Sequence, residues 1–415
     1  MSQELRDAVT DSQASVRRPL PAGLVPILVG RLITATGTGV VGPYLVIYLR
    51  DVQGFAMVTA TAAASITSVA AVIGGMLGGW LLDKFSWRLV TVAVFLFAAL
   101  GSGSYAFADK FSIVFLASVL FGLGVGAGGG LWPTLIARTV SGTLRSKAFG
   151  WDYIVFNAGL GCGGLIGGAI VAQGGHGHFS ALFIIDAASF LVCGTILLLF
   201  LAPTLNQDTV ALGSESGAPK AASVFTDKRL LVVLVLISAL GMVGYGQFES
   251  VMPPFITGYS VVPTAGVSLI YAANTIAVVA CGALLAKMFG KPSYRLGFAL
   301  TAFCWCLSWL LIGVLPMLTQ VSVGLVLAVL AGLGFAAGEL FLARAMPGAV
   351  NSLATPANRG RYNGAASVAL NIGRIIGPIS AGSVVTAGGA LGLFPGLAAA
   401  AMLIALASSR FFPRL

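Results

Sequence analysis

RSKAFGWDYIVFNAGLGCGGLIGG (145–168) and RGRYNGAASVALNIGRIIGPISAG (359–382) read as two copies of one segment, 214 residues apart. Asn157, Gly159, Gly163 and Gly168 of the first copy meet Asn371, Gly373, Gly377 and Gly382 of the second. One apolar run earlier the offset is 210, and VLFGLG (119–124) meets VLAGLG (329–334). Further back, GWLLDK (79–84) meets GALLAK (282–287), and Trp87-Arg88-Leu89 meets Tyr294-Arg295-Leu296. Matches that recur in chain order at equivalent positions mark an internal duplication. The chain is therefore two related halves.

Each half is too apolar for water. Charged residues make up 9% of the 415 and hydrophobic ones 58%, whereas a soluble domain carries about a quarter charged. Glycine, at 55 residues, is tolerated in membrane helices because it lets backbones approach closely. A helix crossing the hydrocarbon needs about 20 mostly apolar residues. Such runs fall near 22–49, 56–82, 89–107, 112–137, 149–173 and 179–203, and again near 230–257, 262–286, 296–316, 319–343, 363–387 and 391–411. The expected architecture is an all-α membrane protein of twelve spans, with a tail (1–21), a first bundle (22–203), a polar linker (204–229) and a second bundle (230–411). Because six spans separate the copies, both bundles point the same way, as parallel repeats about an axis along the membrane normal.

Lysine and arginine are retained on the cytoplasmic side of an inner membrane. With the N-terminus placed there, the cytoplasmic tails and loops hold 19 of the 23 basic residues. The outer loops hold Arg50 and Lys110, and Arg31 and Arg374 fall within spans. Topology thus accounts for the net charge of +10 without invoking nucleic acid, and both termini are expected in the cytoplasm. The polar first 20 residues lack the apolar core of a cleaved signal, so the first span is expected to stay. Cys162, Cys193, Cys281, Cys304 and Cys306 sit in apolar stretches and read as small core residues, with no metal or disulfide chemistry. GLGCGG (159–164) and GVGAGG (124–129) satisfy G-x-G-x-x-G on paper, but neither follows a strand, so helix packing explains them. There is no phosphate-binding G-x-x-x-x-G-K-[ST] site and no nucleophile–base set, so neither ATP coupling, nor a cofactor, nor an enzyme is expected.

The loop after the second span reads Gly79-Trp80-Leu81-Leu82-Asp83-Lys84-Phe85-Ser86-Trp87-Arg88. It resembles the G-x-L-x-D-[RK]-[FY]-G-[RK]-[RK] signature of the major facilitator superfamily, departing from it at Ser86 and Trp87. Within that family the chain is similar to the twelve-helix drug:proton antiporter branch. Span 1 carries Gly37-x5-Pro43, though Val46 stands where the branch has a second proline. The antiporter motif G-x-x-x-G-P appears in span 5 as Gly159…Gly163-Gly164, without its proline, and complete in span 11 as Gly373…Gly377-Pro378. Ser118 occupies the place of the branch's span-4 arginine.

The resemblance implies that spans 1, 4, 7 and 10 line a central cavity. On them lie Glu249, in the outer half of span 7, and Glu339, near the inner end of span 10. A carboxyl group in low dielectric favours its neutral form, as a proton carrier requires. The alternative is a structural ion pair with Arg31 or a bond to backbone. Arg31 stays charged and would hold an anion or neutralise a carboxylate. Tyr44, Tyr48, Gln247, Phe248 and Phe335 are the other expected cavity residues. Gly79, Asp83, Lys84 and Arg88 would form a gating loop, with Asp83 meeting the positive end of span 11. Gly159, Gly163, Gly373, Gly377 and Pro378 would set close helix packing. The implied activity is proton-driven efflux of a small amphipathic compound by a monomer in the bilayer. Uptake, flipping of a lipid-linked solute, and a non-transporting sensor stay open as alternatives.

Overall fold

The computed structural model describes residues 21, 23–140, 142–173, 175–201, 226–288, 293–355 and 359–411. Among these, twelve helical segments run back and forth. The first half comprises α1 (Leu24–Val52), α2 (Met57–Lys84), α3 (Trp87–Tyr105), α4 (Phe111–Thr139), α5 (Gly142–Val171) and α6 (His176–Ile196, continued to Leu201). The second comprises α7 (Lys228–Ser250, then Met252–Tyr259), α8 (Gly266–Met288), α9 (Tyr294–Val314), α10 (Val321–Leu353), α11 (Arg359–Thr386) and α12 (Ala390–Phe411). Eleven are long and apolar enough to cross a membrane along their described length; the apolar part of α8 is shorter, Gly266–Cys281. We call the side where α1 begins and α12 ends the terminal face, and the other the opposite face. α10 runs ten residues beyond the end expected from hydropathy, which places Glu339 near mid-helix instead of at its end.

Lipid tails are as apolar as leucine, so helices in a bilayer associate by close backbone packing and by hydrogen bonds. The duplicated glycines do this. Gly159 and Gly163 of α5 lie against α1, at Ala35 and at Thr36 and Val40, while Gly373 and Gly377 of α11 lie against α7, at Ser238 and Met242. The same segment thus makes the same contact in both halves. The turns into α6 and α12 also correspond, since Gly175 and Gly388 adopt φ of 89° and 86°, where a side chain would be strained.

Both of the innermost helices break. α1 turns at Gly42–Tyr44 and ends in a wide turn over Tyr48–Val52. α7 has a wide turn at Gly241–Tyr245 and a second break at Val251, ahead of Pro253. A wide turn loosens the regular ladder, and side chains pick up the loosened carbonyls. Trp309 Nε1 donates to Val243 O at 2.9 Å, and Gln247 Nε2 donates to Met242 O at 2.9 Å and to Gly377 O at 3.1 Å. Gly244 is required there because a Cβ would overlap the Trp305 ring.

The halves meet through α1 with α7, α2 with α11, and α5 with α8. At the opposite face the Arg50 guanidinium, held by Asp51, donates to Pro254 O and to Thr257 Oγ1 of α7. Val58 N donates to Thr386 Oγ1 at 3.3 Å, and deeper in, Ser65 Oγ donates to Ile375 O at 2.7 Å. These ties lie between the opposite face and mid-depth. Toward the terminal face, Tyr153 and Ile154 of α5 are half exposed. Among the described residues, these hydrogen bonds between the halves close the opposite face. Replacing Arg50 by alanine removes a charge-assisted tie of about 1.5 kcal/mol, which corresponds to roughly a tenfold loosening of the closed state. A disulfide between cysteines introduced at Val58 and Thr386 should then form severalfold more slowly; an unchanged rate would remove Arg50 from the closure.

Candidate functional site

Three ionisable side chains converge on the inner wall of the second half. The Arg374 guanidinium pairs with the Glu249 carboxylate, joining α11 to α7. The ring of Tyr245, one turn before Glu249, lies 5.2 Å below that guanidinium, which adds a cation–π contact. Glu339 of α10 accepts a hydrogen bond from Asn274 Nδ2 of α8 at 2.6 Å. Tyr245 lies beside it as well, so one ring separates the ion pair from the second carboxylate. Across the interface, Tyr153 of α5 is within electrostatic reach of Glu339. Side-chain exposures of 34% for Arg374 and 45% for Glu249 leave this pair open to the gap between the halves.

The site holds two carboxylates and one arginine, and the arginine pairs with Glu249 alone. With both ionised, the set carries one unneutralised negative charge in a wall that is otherwise apolar. That charge is costly unless a proton or another cation joins it.

The wall behind the acids is a rigid aromatic stack. Phe248 and Phe335 stack with centroids 4.0 Å apart, and Phe335 and Trp305 at 4.7 Å. Trp305 Nε1 donates to Phe335 O at 3.0 Å, and Tyr271 Oη donates to Phe248 O at 2.7 Å. Glu249 and Glu339 therefore project from helices whose rotation is held by packing and hydrogen bonds, which is the condition for a preorganised site.

Several expected cavity residues are packed in this conformation. Phe335, Tyr44 and Tyr48 are fully buried, and Phe248 and Gln247 nearly so. Tyr48 packs between Phe179 and Phe183 and donates to Ala106 O at 3.3 Å. The Tyr44 hydroxyl lies at the contact of Gly168 with Ser268, where α5 meets α8. Gln247 ties α7 to α11, as described above. In this conformation these side chains build walls and closure.

For Arg31 the sequence leaves open an anion in the cavity or a carboxylate partner. It pairs with Asp152 of α5 at 3.2 Å and sits over the rings of Phe156 (4.1 Å) and Trp132 (5.1 Å). The reason is the α1–α5 glycine contact, which brings the two helices together within one half. The same logic identifies the partner of Arg374, for which hydropathy offered no candidate. Arg374 follows Gly373, and Gly373 touches α7, so its neighbour on the chain reaches the acid of α7. The duplication carried that signal. Asn274 had none, since a lone asparagine in a span points nowhere until its helix is placed.

Of the expected gating loop, Gly79 has open space where a Cβ would be, Lys84 Nζ lies 4.6 Å over the Trp80 ring, and Arg88 lies 5.7 Å over the Trp87 ring. The Asp83 side chain lies outside the described residues, as do the linker residues 204–225. Pro378 packs on Gly246 of α7, beside Gly377.

A family model described as Major Facilitator Superfamily matches residues 27–343. The Na(+), Li(+), K(+)/H(+) antiporter of Planococcus maritimus is 24% identical over 387 residues, covering 85% of this chain and 87% of that protein. The class B tetracycline resistance protein of Escherichia coli is 30% identical over 172 residues, covering 40% and 41% of the two chains. Among solved structures, the nucleoside transporter NupG superposes with a TM-score of 0.74, covering 95% of this chain and 100% of that one. At 17% identity that likeness speaks for the fold alone.

Proposed function

The chain belongs to the Major Facilitator Superfamily, and on that premise we propose that it exchanges protons for a small amphipathic cation, in the direction of export. It is a multi-pass membrane protein and a secondary transporter. The observation that carries the finer reading is the charge count at the site, with Glu249 and Glu339 against Arg374 alone. A proton or the positive group of a substrate neutralises the remaining charge, but not both at once. Competition of two ligands for one charge is the minimal device for antiport, because each displaces the other. The stack of Phe248, Phe335 and Trp305 lies behind the acids as the apolar surface for the rest of such a molecule.

In this reading the halves 22–203 and 230–411, on either side of the linker 204–229 in sequence, rock about the site between them, and the terminal face is cytoplasmic. The conformation described is then the one that loads substrate from inside.

The test is purified protein in liposomes with an imposed pH gradient and an internal pH dye. Amphipathic cations, their neutral analogues, and Na+, Li+ and K+ are offered in turn. Proton efflux on addition of the amphipathic cations, and not of the neutral analogues, is the expected result. A second reading, alkali-cation/proton exchange, follows from the same unneutralised charge and from the named activity of the Planococcus relative. A response to Na+ or K+ alone would select it. No proton movement with any cation would overturn both.

A further inference from the structure

Asp186 lies at the middle of α6, fully buried, and has no part in the site described above. None of the ion pairs among the described residues includes it. Its Oδ2 accepts from Ser102 Oγ of α3 at 2.7 Å, and Ser102 also reaches Phe183 O at 3.3 Å. Its Oδ1 is buried without an aligned donor. Ser189 Oγ donates to Asp186 O at 2.7 Å, and it stands with Thr38 of α1 beside the carboxyl, where a hydroxyl can accept from the acid or donate to its carboxylate. The lid over Oδ1 is Gly37 of α1, where a Cβ would lie 2.7 Å from that oxygen.

A carboxylate sealed in hydrocarbon with no counter-charge is not a stable arrangement. The charged and titratable groups around it supply no cation. On α1, Arg31 is committed to Asp152 and to two aromatic rings, and the buried Tyr44 is held at the α5–α8 contact. On α3, Tyr105 is bonded to Ser118 at 2.7 Å. On α6 itself, Cys193 lies two turns toward the terminal face against Gly30, and His178 lies at the far end of the helix.

We infer that Asp186, with Ser102, Ser189, Thr38 and the lid at Gly37, is a proton-binding site of the first half, occupied in this conformation. Protonation forms an O–H bond at Oδ1, which donates to the hydroxyl oxygens beside it and cancels the charge. One hydroxyl donor at Oδ2, with hydroxyls beside Oδ1 that can either accept or donate, lets the cluster serve the neutral carboxyl and the carboxylate in turn. The site is coupled to the gate through α1. That helix turns at Gly42–Tyr44, five residues beyond Gly37, and its outer piece is tied to α7 by Arg50. When the opposite face opens, the outer piece of α1 leaves α7 and the turn at Gly42–Tyr44 bends, so water on that side reaches the end of the α1–α6 contact at which Gly37 covers the carboxyl. The inference goes beyond the exchange proposed at Glu249 and Glu339 and does not require it.

Infrared difference spectroscopy of the purified protein in nanodiscs, titrated between acid and alkaline pH without any substrate, reads the site directly. The expected result is a protonated-carboxyl C=O band that is present in wild type, retained in E249Q and E339Q, and absent in Asp186→Asn. In Ser102→Ala, which keeps the carboxyl but removes its donor, the band should shift in frequency; that variant serves if Asp186→Asn does not fold. In Arg50→Ala the band should bleach at lower pH than in wild type, because water reaches the α1–α6 contact more often. Spectra of Asp186→Asn, or of Ser102→Ala if it stands in, that match wild type at every pH overturn the inference. A band that never titrates and ignores Arg50→Ala overturns it too, since that is a permanent structural proton. Neither failure touches the liposome assay, so the two readings fail separately.

Discussion

Liposomes carrying Glu339→Gln are expected to lose proton-driven transport by at least tenfold while binding substrate-like cations more weakly and folding normally. A tenfold change corresponds to about 1.4 kcal/mol, a small demand on the removal of a charge from an apolar wall. Glutamine keeps an oxygen for Asn274 Nδ2, which now donates to Glu339 at 2.6 Å, so the α8–α10 contact survives. What disappears is the one carboxylate of the site without an ion-pair partner. Glu249→Gln should also uncouple transport, by a different route. It strands Arg374, which can then turn toward Glu339 across Tyr245 and neutralise it permanently. Since the Arg374–Glu249 pair is 34% and 45% exposed, solvent screening limits its loss to roughly 1 kcal/mol of stability. Uptake assays with and without a pH gradient separate the cases. If Glu339→Gln responds to the gradient as wild type does, Glu339 is not the proton carrier.

Gly373→Ala and Gly163→Ala are expected to abolish the folded protein or to reduce it to a small fraction of wild type. At Gly373 the new methyl would overlap Ser238 O and lie 2.5 Å from Met242 N; at Gly163 it would overlap Thr36 O and lie 2.8 Å from Val40 N. These are backbone atoms of the neighbouring helix, so no rotamer change relieves the overlap and the helices must separate along their length. Overpacking a core costs about 1–3 kcal/mol where side chains can adjust, and more where they cannot. At Gly373, separation would also break the Gln247 bond to Gly377 O. Gly392→Ala is the control, because nothing lies within 4 Å of its added methyl. Fluorescence-detected size-exclusion of the three variants measures the outcome. A symmetric wild-type peak for Gly373→Ala would show that the α7–α11 contact does not hold the second half together.

Most of the architecture was legible before any coordinates, because hydrocarbon imposes two strict conditions. Each span must be long and apolar, and each backbone group must be satisfied within its helix. Errors arose where a helix outlasts its apolar run. α10 continues from the expected end at 343 to Leu353. Nothing in hydropathy distinguishes a polar helical turn from a loop. The candidate site was legible in part. Glu249 and Glu339 stand out because acids are rare in spans, but the cavity roles expected for Tyr44, Tyr48 and Phe335 meet side chains that are fully packed here. An aromatic residue on an inner helix looks the same in sequence whether it faces a cavity or a neighbour.

The paired segments 145–168 and 359–382 by themselves determined that this is a duplicated membrane bundle, and where its closest helix contacts fall. They did so because a glycine spacing that lets two backbones touch is a local property, preserved in each copy. Which charges meet was decided only by tertiary structure. Arg31 joins Asp152, Arg374 joins Glu249, and Glu339 and Asp186 keep no cation within ion-pair distance among the described residues. A pairing depends on how each helix is rotated about its axis and on where α1 and α7 break. Those are set by packing against several neighbours at once, and no single stretch of sequence contains them.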